Sequence, residues 1–327
     1  MTSEISISRN EIAGKNKSMR EFGELFISAL PRHIGALQIP RRKISAEFTA
    51  PAGTVRIDEL LEVQSAMQDV LQHPTTREAE FHAENAFKAF FEKEEADAGL
   101  LKFLNGWYNT HKTTSLVSAK IIMRLSADAI SIPIEQQAGY HKTMAHMHEV
   151  AKDDFGLGHK GHDGMYTHMT TALEAVDWVG SQYEVPECNE FSEFLYEAGV
   201  AEHKSPLNSS NHNESILNAM MISIASETWN GREFNFVAQH IEKKILSANP
   251  NLANDSAILR NAKGYVMGHA GEVENKHGLH ALAAAQIFSR TRGVPFYTER
   301  LKEVTLDYNA RVGKAFGALH RSLIAIN

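Results

Sequence analysis

The stretch Glu214–Ala248, ESILNAMMISIASETWNGREFNFVAQHIEKKILSA, decides the fold class of this chain. Its apolar residues recur at helical spacing through Leu217, Met220 and Ile224, which predicts one long helix with a buried face. Glu227 falls on that same apolar stripe. A buried carboxylate costs several kcal/mol unless it is paired or binds a metal. Glu227 is therefore a candidate functional residue.

The same helical periodicity runs through most of the chain from Ile57 onward. Prolines and glycines divide it into further predicted helices, and convincing runs with the two-residue period of a β-strand are absent. The segments with helical periodicity are residues 57–72, 75–108, 111–129, 133–154, 164–180, 189–200, 255–290 and 295–324. The sequence thus predicts an all-α protein whose main domain is a multi-helical bundle.

The first fifty or so residues differ from the rest. A polar lead, one short helix near Met19–Leu30 and two proline-containing segments precede the first strong helix. We therefore divide the chain into an N-terminal extension, residues 1–55, and a helical-bundle catalytic domain, residues 56–327. The extension is expected to be partly disordered, or to act as a dimerisation arm or a lid. The protein is expected to be a homodimer.

The composition excludes several classes of partner. The chain has 43% hydrophobic and 22% charged residues, as ordinary soluble proteins do, and its net charge of -7 argues against nucleic acid, which needs a basic face. No apolar run has the length of a signal-peptide core or a membrane span, so we expect neither. The single cysteine, Cys188, excludes an internal disulfide and a cysteine-based metal site, which favours a reducing cytoplasm.

Histidine is unusually frequent, with 17 among 327 residues. Read as one helix, residues 258–288 carry three histidines on or near the apolar stripe. At about 100° per residue, His280 lies about 20° and His277 about 80° from His269. Glu274 is one turn before His277, so their side chains are neighbours.

The end of the preceding helical segment, 133–154, offers further candidates. Asp154 shares a face with Met147 and Ala151, which points it inward, and His162 follows beyond a glycine turn. The nearby run HMHE, residues 146–149, is interpreted as a solvated face, because alternate residues on a helix point apart.

Acids and histidines from at least three helices are thus expected to converge in the core. Helical bundles build carboxylate-bridged two-iron sites in this way. Mixed carboxylate and imidazole ligation without thiolate suits Fe(II) or Mn(II), with zinc as an alternative. Each residue taken alone also has a structural interpretation, since a single core histidine is usually hydrogen-bonded and a single inward glutamate usually belongs to a buried salt bridge.

The turn at residues 156–161, GLGHKG, matches the dinucleotide pattern G-x-G-x-x-G. That pattern needs a buried strand before it, whereas a polar-rich helix precedes it here. We interpret the turn as a hinge between Asp154 and His162.

These motifs resemble a known family, the heme-oxygenase-like diiron oxidases and oxygenases. One family signature is Asp/Glu-Glu-hydrophobic-Gly-x-Gly, followed later by a His with a hydrophobic–aromatic pair. This chain has similar stretches in DDFGLG (153–158) and HDGMY (162–166). The later signature, His-x-x-x-Asp-x-x-His-Gly, is similar to ENKHG (274–278). The resemblance covers about residues 75–295 and implies a metal-binding set. Its members would be Asp154, His162, Glu227, Glu274 and His277.

The chain departs from the family at two ligands. Ala270 stands where the family has a histidine, with His269 beside it, and no residue matches the first-helix glutamate. His111, in the aromatic segment WYNTHKTT, is the candidate replacement. A one-metal site and a metal-free relative of the pyrroloquinoline-quinone synthase type therefore stay open.

The resemblance implies a non-heme iron enzyme, with two iron ions or one, that uses O₂ as co-substrate. Its substrate would be a small amine, amino acid or fatty-acid-like molecule in a biosynthetic pathway. The alternatives are a cofactor-free or heme-handling member of the same fold, and a non-enzymatic helical interaction protein.

Overall fold

The computed structural model of the protein describes residues 16–36, 57–154, 162–200, 205–207 and 209–325. Within these ranges it contains thirteen α-helices and no strand, which confirms the predicted all-α multi-helical bundle. The helices are α1 (Met19–Ala36), α2 (Ile57–Gln72), α3 (Pro74–Glu92), α4 (Ala98–Ala129), α5 (Ile134–Asp154), α6 (His162–Ala172), α7 (Pro186–Leu195), α8 (Ser210–Ala238), α9 (Ile241–Ala248), α10 (Ser256–Ala262), α11 (Gly264–His269), α12 (Val273–Arg292) and α13 (Thr298–Ile324).

Helix α8 is the central element of the bundle. Ser209 caps its start, where the side-chain oxygen accepts a hydrogen bond of 3.2 Å from the backbone N–H of His212. Every side chain from Ala219 to Ala238 is buried, because α1, α4, α11, α12 and α13 all pack against α8. Polar residues in this helix therefore need partners inside the protein.

Helix α4 corrects one predicted boundary. We expected a break near residue 110, but α4 is continuous and the break lies earlier, between Lys93 and Asp97. Asp97 caps the new helix by accepting a 3.0 Å hydrogen bond from the N–H of Leu100. The hydroxyl of Thr110, inside the helix, is satisfied by donating to the carbonyl of Trp107 at 2.7 Å.

The opening stretch is also not one helix. The first helix ends at Ala238, and the chain resumes as α9 at Ile241 after His240, whose backbone is not helical. The Gln239 amide group accepts from the backbone N–H of Lys17 at 2.8 Å and donates to the Lys17 carbonyl at 2.9 Å. This clamp fixes the segment that leads into α1.

The prediction of one helix over residues 255–290 was wrong. The chain forms α10, α11 and α12 there, with Gly271 in a left-handed conformation (φ 84°) between the last two. Asn235 of α8 holds this break, donating to the Gly271 carbonyl at 3.1 Å and accepting from its N–H at 2.8 Å. His269 therefore lies on a different helix from His277 and His280, and Glu274 lies in the first turn of α12.

Two predictions concern the surroundings of the bundle. No helix in the described part of the chain combines the length and the apolar character needed to cross a membrane.

Helix α1 packs on α2 and α8 and buries Phe22 and Phe26 in the common core. Residues 1–15 and 37–56 lie outside the described residues, so the division into residues 1–55 and 56–327 stays a prediction, as do the homodimer and the cytoplasmic location.

Candidate metal centre

The candidate site lies where α8 crosses α12. Each helix carries a glutamate followed four residues later by a glycine: Glu227 and Gly231 on α8, Glu274 and Gly278 on α12. A Cβ placed at Gly278 would lie 3.4 Å from Cβ of Glu227, and one placed at Gly231 would lie 3.5 Å from Cβ of Glu274. Each glutamate stem thus packs on the glycine of the other helix, and this close approach brings the two carboxylates together.

His277 completes the group from the next turn of α12. Its Nδ1 lies 3.3 Å from Oε2 of Glu274 and 3.6 Å from Oε2 of Glu227. One possible ligand atom from each of the three residues lies within 4.8 Å of the other two. Their exposed fractions are 2% for Glu227, 3% for Glu274 and 5% for His277, so water does not compensate their charges.

Burial and mutual repulsion act on the two carboxylates of the group. Burial, and after it the negative charge of Glu274, raises the pKa of Glu227 to about 8, against the opposing effect of His277. Oε1 of Glu274 is buried without a hydrogen-bond partner. No Lys or Arg in the described part of the chain pairs with either carboxylate. A divalent cation would neutralise both acids and would give the unpartnered oxygen a ligand role.

The chemistry of the donors fits a metal. Two carboxylates and one imidazole, without thiolate, suit Fe(II), Mn(II) or Zn(II). Glu274 lies in the first turn of α12, where the helix dipole favours a negative charge. The crossing therefore presents a carboxylate–carboxylate–imidazole set in which each residue comes from a rigid helix.

Three other predicted ligands come from the segments that flank this crossing. Asp154 ends α5 and His162 begins α6, but the side chains of both lie outside the described part of the structure, as does the turn of residues 155–161 between them. His269, on α11, directs Nδ1 to the Tyr265 carbonyl at 2.5 Å. Burial lowers the pKa of His269 to about 4.

His111 belongs to a second buried cluster, around Glu233 of α8. Its Nε2 lies 3.2 Å from Oε1 of Glu233, and its Nδ1 lies 3.2 Å from the Tyr265 hydroxyl. The indole N–H groups of Trp107 and Trp229 each donate to Glu233 at 2.6 Å. Both ring nitrogens of His111 thus face partners in this cluster, and its predicted role as a metal ligand stays a prediction.

The sequence analysis missed Glu233. Two signals in the sequence pointed to it. Glu233 lies six residues after Glu227 within a helix that is buried all round. Two tryptophans also lie in the helical segments that pack around Glu233. Tryptophan N–H groups usually find a partner when they are buried. The position of that partner still depends on how α4 and α8 cross, which no local pattern shows.

The interpretation of HMHE as a solvated face was wrong for three of its four residues, since Met147 is buried as well. His148 is exposed, but His146 is fully buried and Glu149 is nearly so. Nδ1 of His146 lies 2.9 Å from Nδ1 of His280, which joins α5 to α12. Burial lowers the pKa of His146 to about 4 and that of His280 to about 3, so both rings are neutral near pH 7.

Comparisons of the chain with family models, with curated proteins and with solved structures find no match. The chemistry of the site is therefore the basis on which a function can be inferred.

Proposed function

We propose that the protein is a non-heme iron enzyme that uses O₂ to oxidise or oxygenate a small substrate, with Glu227, Glu274 and His277 as iron ligands. One observation carries the proposal. Glu227, Glu274 and His277 are buried together, neither carboxylate pairs with a Lys or Arg in the described part of the chain, and Oε1 of Glu274 has no hydrogen bond there. The substrate class, a small amine, amino acid or fatty-acid-like molecule, and a second iron ion rest on the family resemblance alone.

The buried acids elsewhere in the bundle support this interpretation by contrast. Glu80 of α3 accepts from Arg232 at 2.6 Å and from Arg20 at 3.0 Å, which is an ordinary buried ion-pair network. Glu233 accepts from two indoles and approaches an imidazole. A purely structural role, as in a helical interaction protein, predicts such partners for every buried acid. Among the described residues, Glu227 and Glu274 share the imidazole of His277 but have no Arg, Lys or indole partner.

The residues of the site have separate roles in binding. Glu227 carries a proton near pH 7 because its pKa is raised, and it must release that proton when a cation binds. Glu274 lies in the first turn of α12, where the helix dipole favours a negative charge. His277 presents Nδ1 to both carboxylates, and the two crossing glycines keep the helices close enough for all three to meet. Bound iron would supply the redox chemistry that amino-acid side chains lack.

The test is the iron content of the full chain after anaerobic loading with Fe(II) and removal of loose metal. We expect at least one tightly bound iron per chain in the wild type and a large loss in Glu227→Gln and in Glu274→Gln. Glu272→Gln is the matched control, because Glu272 is two residues from Glu274 and pairs only with Lys276 at the surface.

Exposure of the iron-loaded protein to O₂ in a closed electrode cell tests the second part of the proposal, the use of O₂. Consumption of O₂ by the wild type and its loss in Glu274→Gln are expected. A protein without bound iron, or with iron that all three variants retain, would overturn the ligand assignment. Bound iron without O₂ consumption would overturn the oxidase assignment.

A further inference from the structure

A cavity at the far end of α8 lies apart from the metal centre. It has a volume of about 530 Å³, within the range of small-molecule sites, and α3, α8, α9 and the segment before α1 form its walls. Phe236, which lines it, follows Glu227 by nine residues, or about 13 Å along the helix axis. The proposed iron ligands therefore do not reach it.

The cavity has a positive lining although the chain as a whole is negative. Its residues include Lys17, Lys88, Lys243 and Lys244. They also include Glu84 and Glu92. Lys88 pairs with Glu84, and the buried ammonium of Lys244 donates to the carbonyl of Lys93. The remaining charged groups, Lys17 and Lys243 against Glu92, give an excess of one positive charge. The charge of Glu84 is already compensated by the N–H of Met19 at 2.9 Å and by the Lys88 ammonium at 3.4 Å. A positive excess in a concave site attracts anions.

Aromatic rings form another part of the lining. The rings of Phe91 and His240 lie 5.1 Å apart between centroids, and those of Phe236 and His240 lie 6.3 Å apart. Burial, followed by the charge of Lys243, lowers the pKa of His240, which keeps the imidazole neutral near pH 7. Neutral and aromatic surfaces of this kind accept the face or edge of a planar ring.

The walls are held in place without a ligand. The main chain of Lys17 is clamped at both of its polar groups by Gln239. The ammonium of Lys244 donates to the carbonyl of Lys93 and lies 5.3 Å from the centroid of the Phe90 ring. A site whose walls are fixed in advance loses less entropy when a ligand binds.

We propose that this cavity binds a small anion that carries a planar ring, with nucleoside monophosphates as the class that fits. The anionic group would lie among the lysines and the ring against Phe91 and His240. The site is independent of the proposed iron centre in its residues and in its ligand.

The test is calorimetric titration of the metal-free full chain with AMP, adenosine and inorganic phosphate, each in the presence of EDTA. We expect AMP to bind more tightly than either fragment, since only AMP uses both parts of the cavity. Binding should also raise the pKa of His240, measured by NMR titration of its imidazole, because a nearby anion favours the charged ring.

Lys243→Glu is the decisive variant, because Lys243 is exposed and its replacement should not disturb folding. It should weaken AMP binding at least about tenfold through reversal of one charge near the phosphate. Lys314→Glu makes the same charge change on an exposed part of α13 outside the cavity and should leave the affinity unchanged.

Three results would overturn the proposal: no binding of AMP, equal loss in the two variants, or equal affinity for AMP and inorganic phosphate. None of them bears on the iron ligands. Conversely, loss of iron binding in every preparation leaves the AMP experiment interpretable, because EDTA is present throughout.

Discussion

Replacing Glu227 by glutamine should stabilise the metal-free protein at high pH. Glutamine resembles the protonated carboxyl group in shape but does not ionise. Because the pKa of Glu227 is about 8 in the folded protein against 4.5 for a free side chain, ionisation opposes folding of the wild type. Protonation of Glu227 contributes fully to the stability of the folded protein below about pH 4.5. This contribution is lost as the pH rises to about 8.

The magnitude follows from that difference. At about 1.4 kcal/mol per pH unit, the span from 4.5 to about 8 corresponds to about 5 kcal/mol at pH 9, and to about 3 kcal/mol at pH 7. We expect wild type and Glu227→Gln to have similar free energies of unfolding at pH 5 and to diverge by several kcal/mol at pH 9.

Urea unfolding followed by circular dichroism at pH 5, 7 and 9, with EDTA throughout, measures the effect. Glu233→Gln is the matched control, since Glu233 lies on the same helix and is equally buried. An amide there would set one of its N–H groups against an indole N–H, so Glu233→Gln should lose about 1–3 kcal/mol at every pH. A Glu227→Gln variant less stable than wild type at pH 9, or a difference independent of pH, would refute the reasoning.

Three further predictions concern the same crossing. The affinity for Fe(II) or Zn(II), measured by competition with a chelator, should fall about tenfold per pH unit below pH 8, because the ion must displace the proton of Glu227; a constant affinity between pH 6 and 8 contradicts this. Gly231→Ala puts a Cβ 2.6 Å from a side-chain oxygen on α12, so it should destabilise the protein by about 1–3 kcal/mol and weaken metal binding. Gly264→Ala, whose Cβ would meet no atom within 4 Å, should change neither stability nor metal binding. Thermal melts and metal titrations measure the two effects. Arg232→Met should cost about 3–5 kcal/mol in urea unfolding by removing a partner of buried Glu80, and a loss below about 1 kcal/mol would speak against this ion pair.

Local signals in the sequence were sufficient for the helices and insufficient for their breaks. The apolar period and the capping residues predict helical segments wherever the structure has long ones. The break at Gly271, in contrast, depends on Asn235, which is 36 residues away in sequence and holds both polar groups of the glycine. A contact of that range has no periodic signature, so the predicted angular relation between His269 and His280 failed.

His146 shows where a closer use of the same rule would have succeeded. Alternate residues on a helix do point apart, but residues three and four apart share a face. Thr143, His146, Met147 and Val150 are all buried, and this spacing places His146 on the inner face of α5. Its partner, His280, follows only from the packing of α5 on α12, which requires the tertiary structure.

The strongest argument for a bound cation is the contrast within α8 itself. Glu227, Arg232 and Glu233 lie within seven residues of one fully buried helix. The bundle compensates Arg232 with an acid and Glu233 with two indole N–H groups and an adjacent imidazole, each at a cost in side-chain order that packing must offset. Glu227 instead faces a second carboxylate, an arrangement that opposes folding unless a proton or a metal ion is bound. A neutral apolar residue would suit a purely structural crossing at this position, so the two acids and the histidine found there support the proposed metal site.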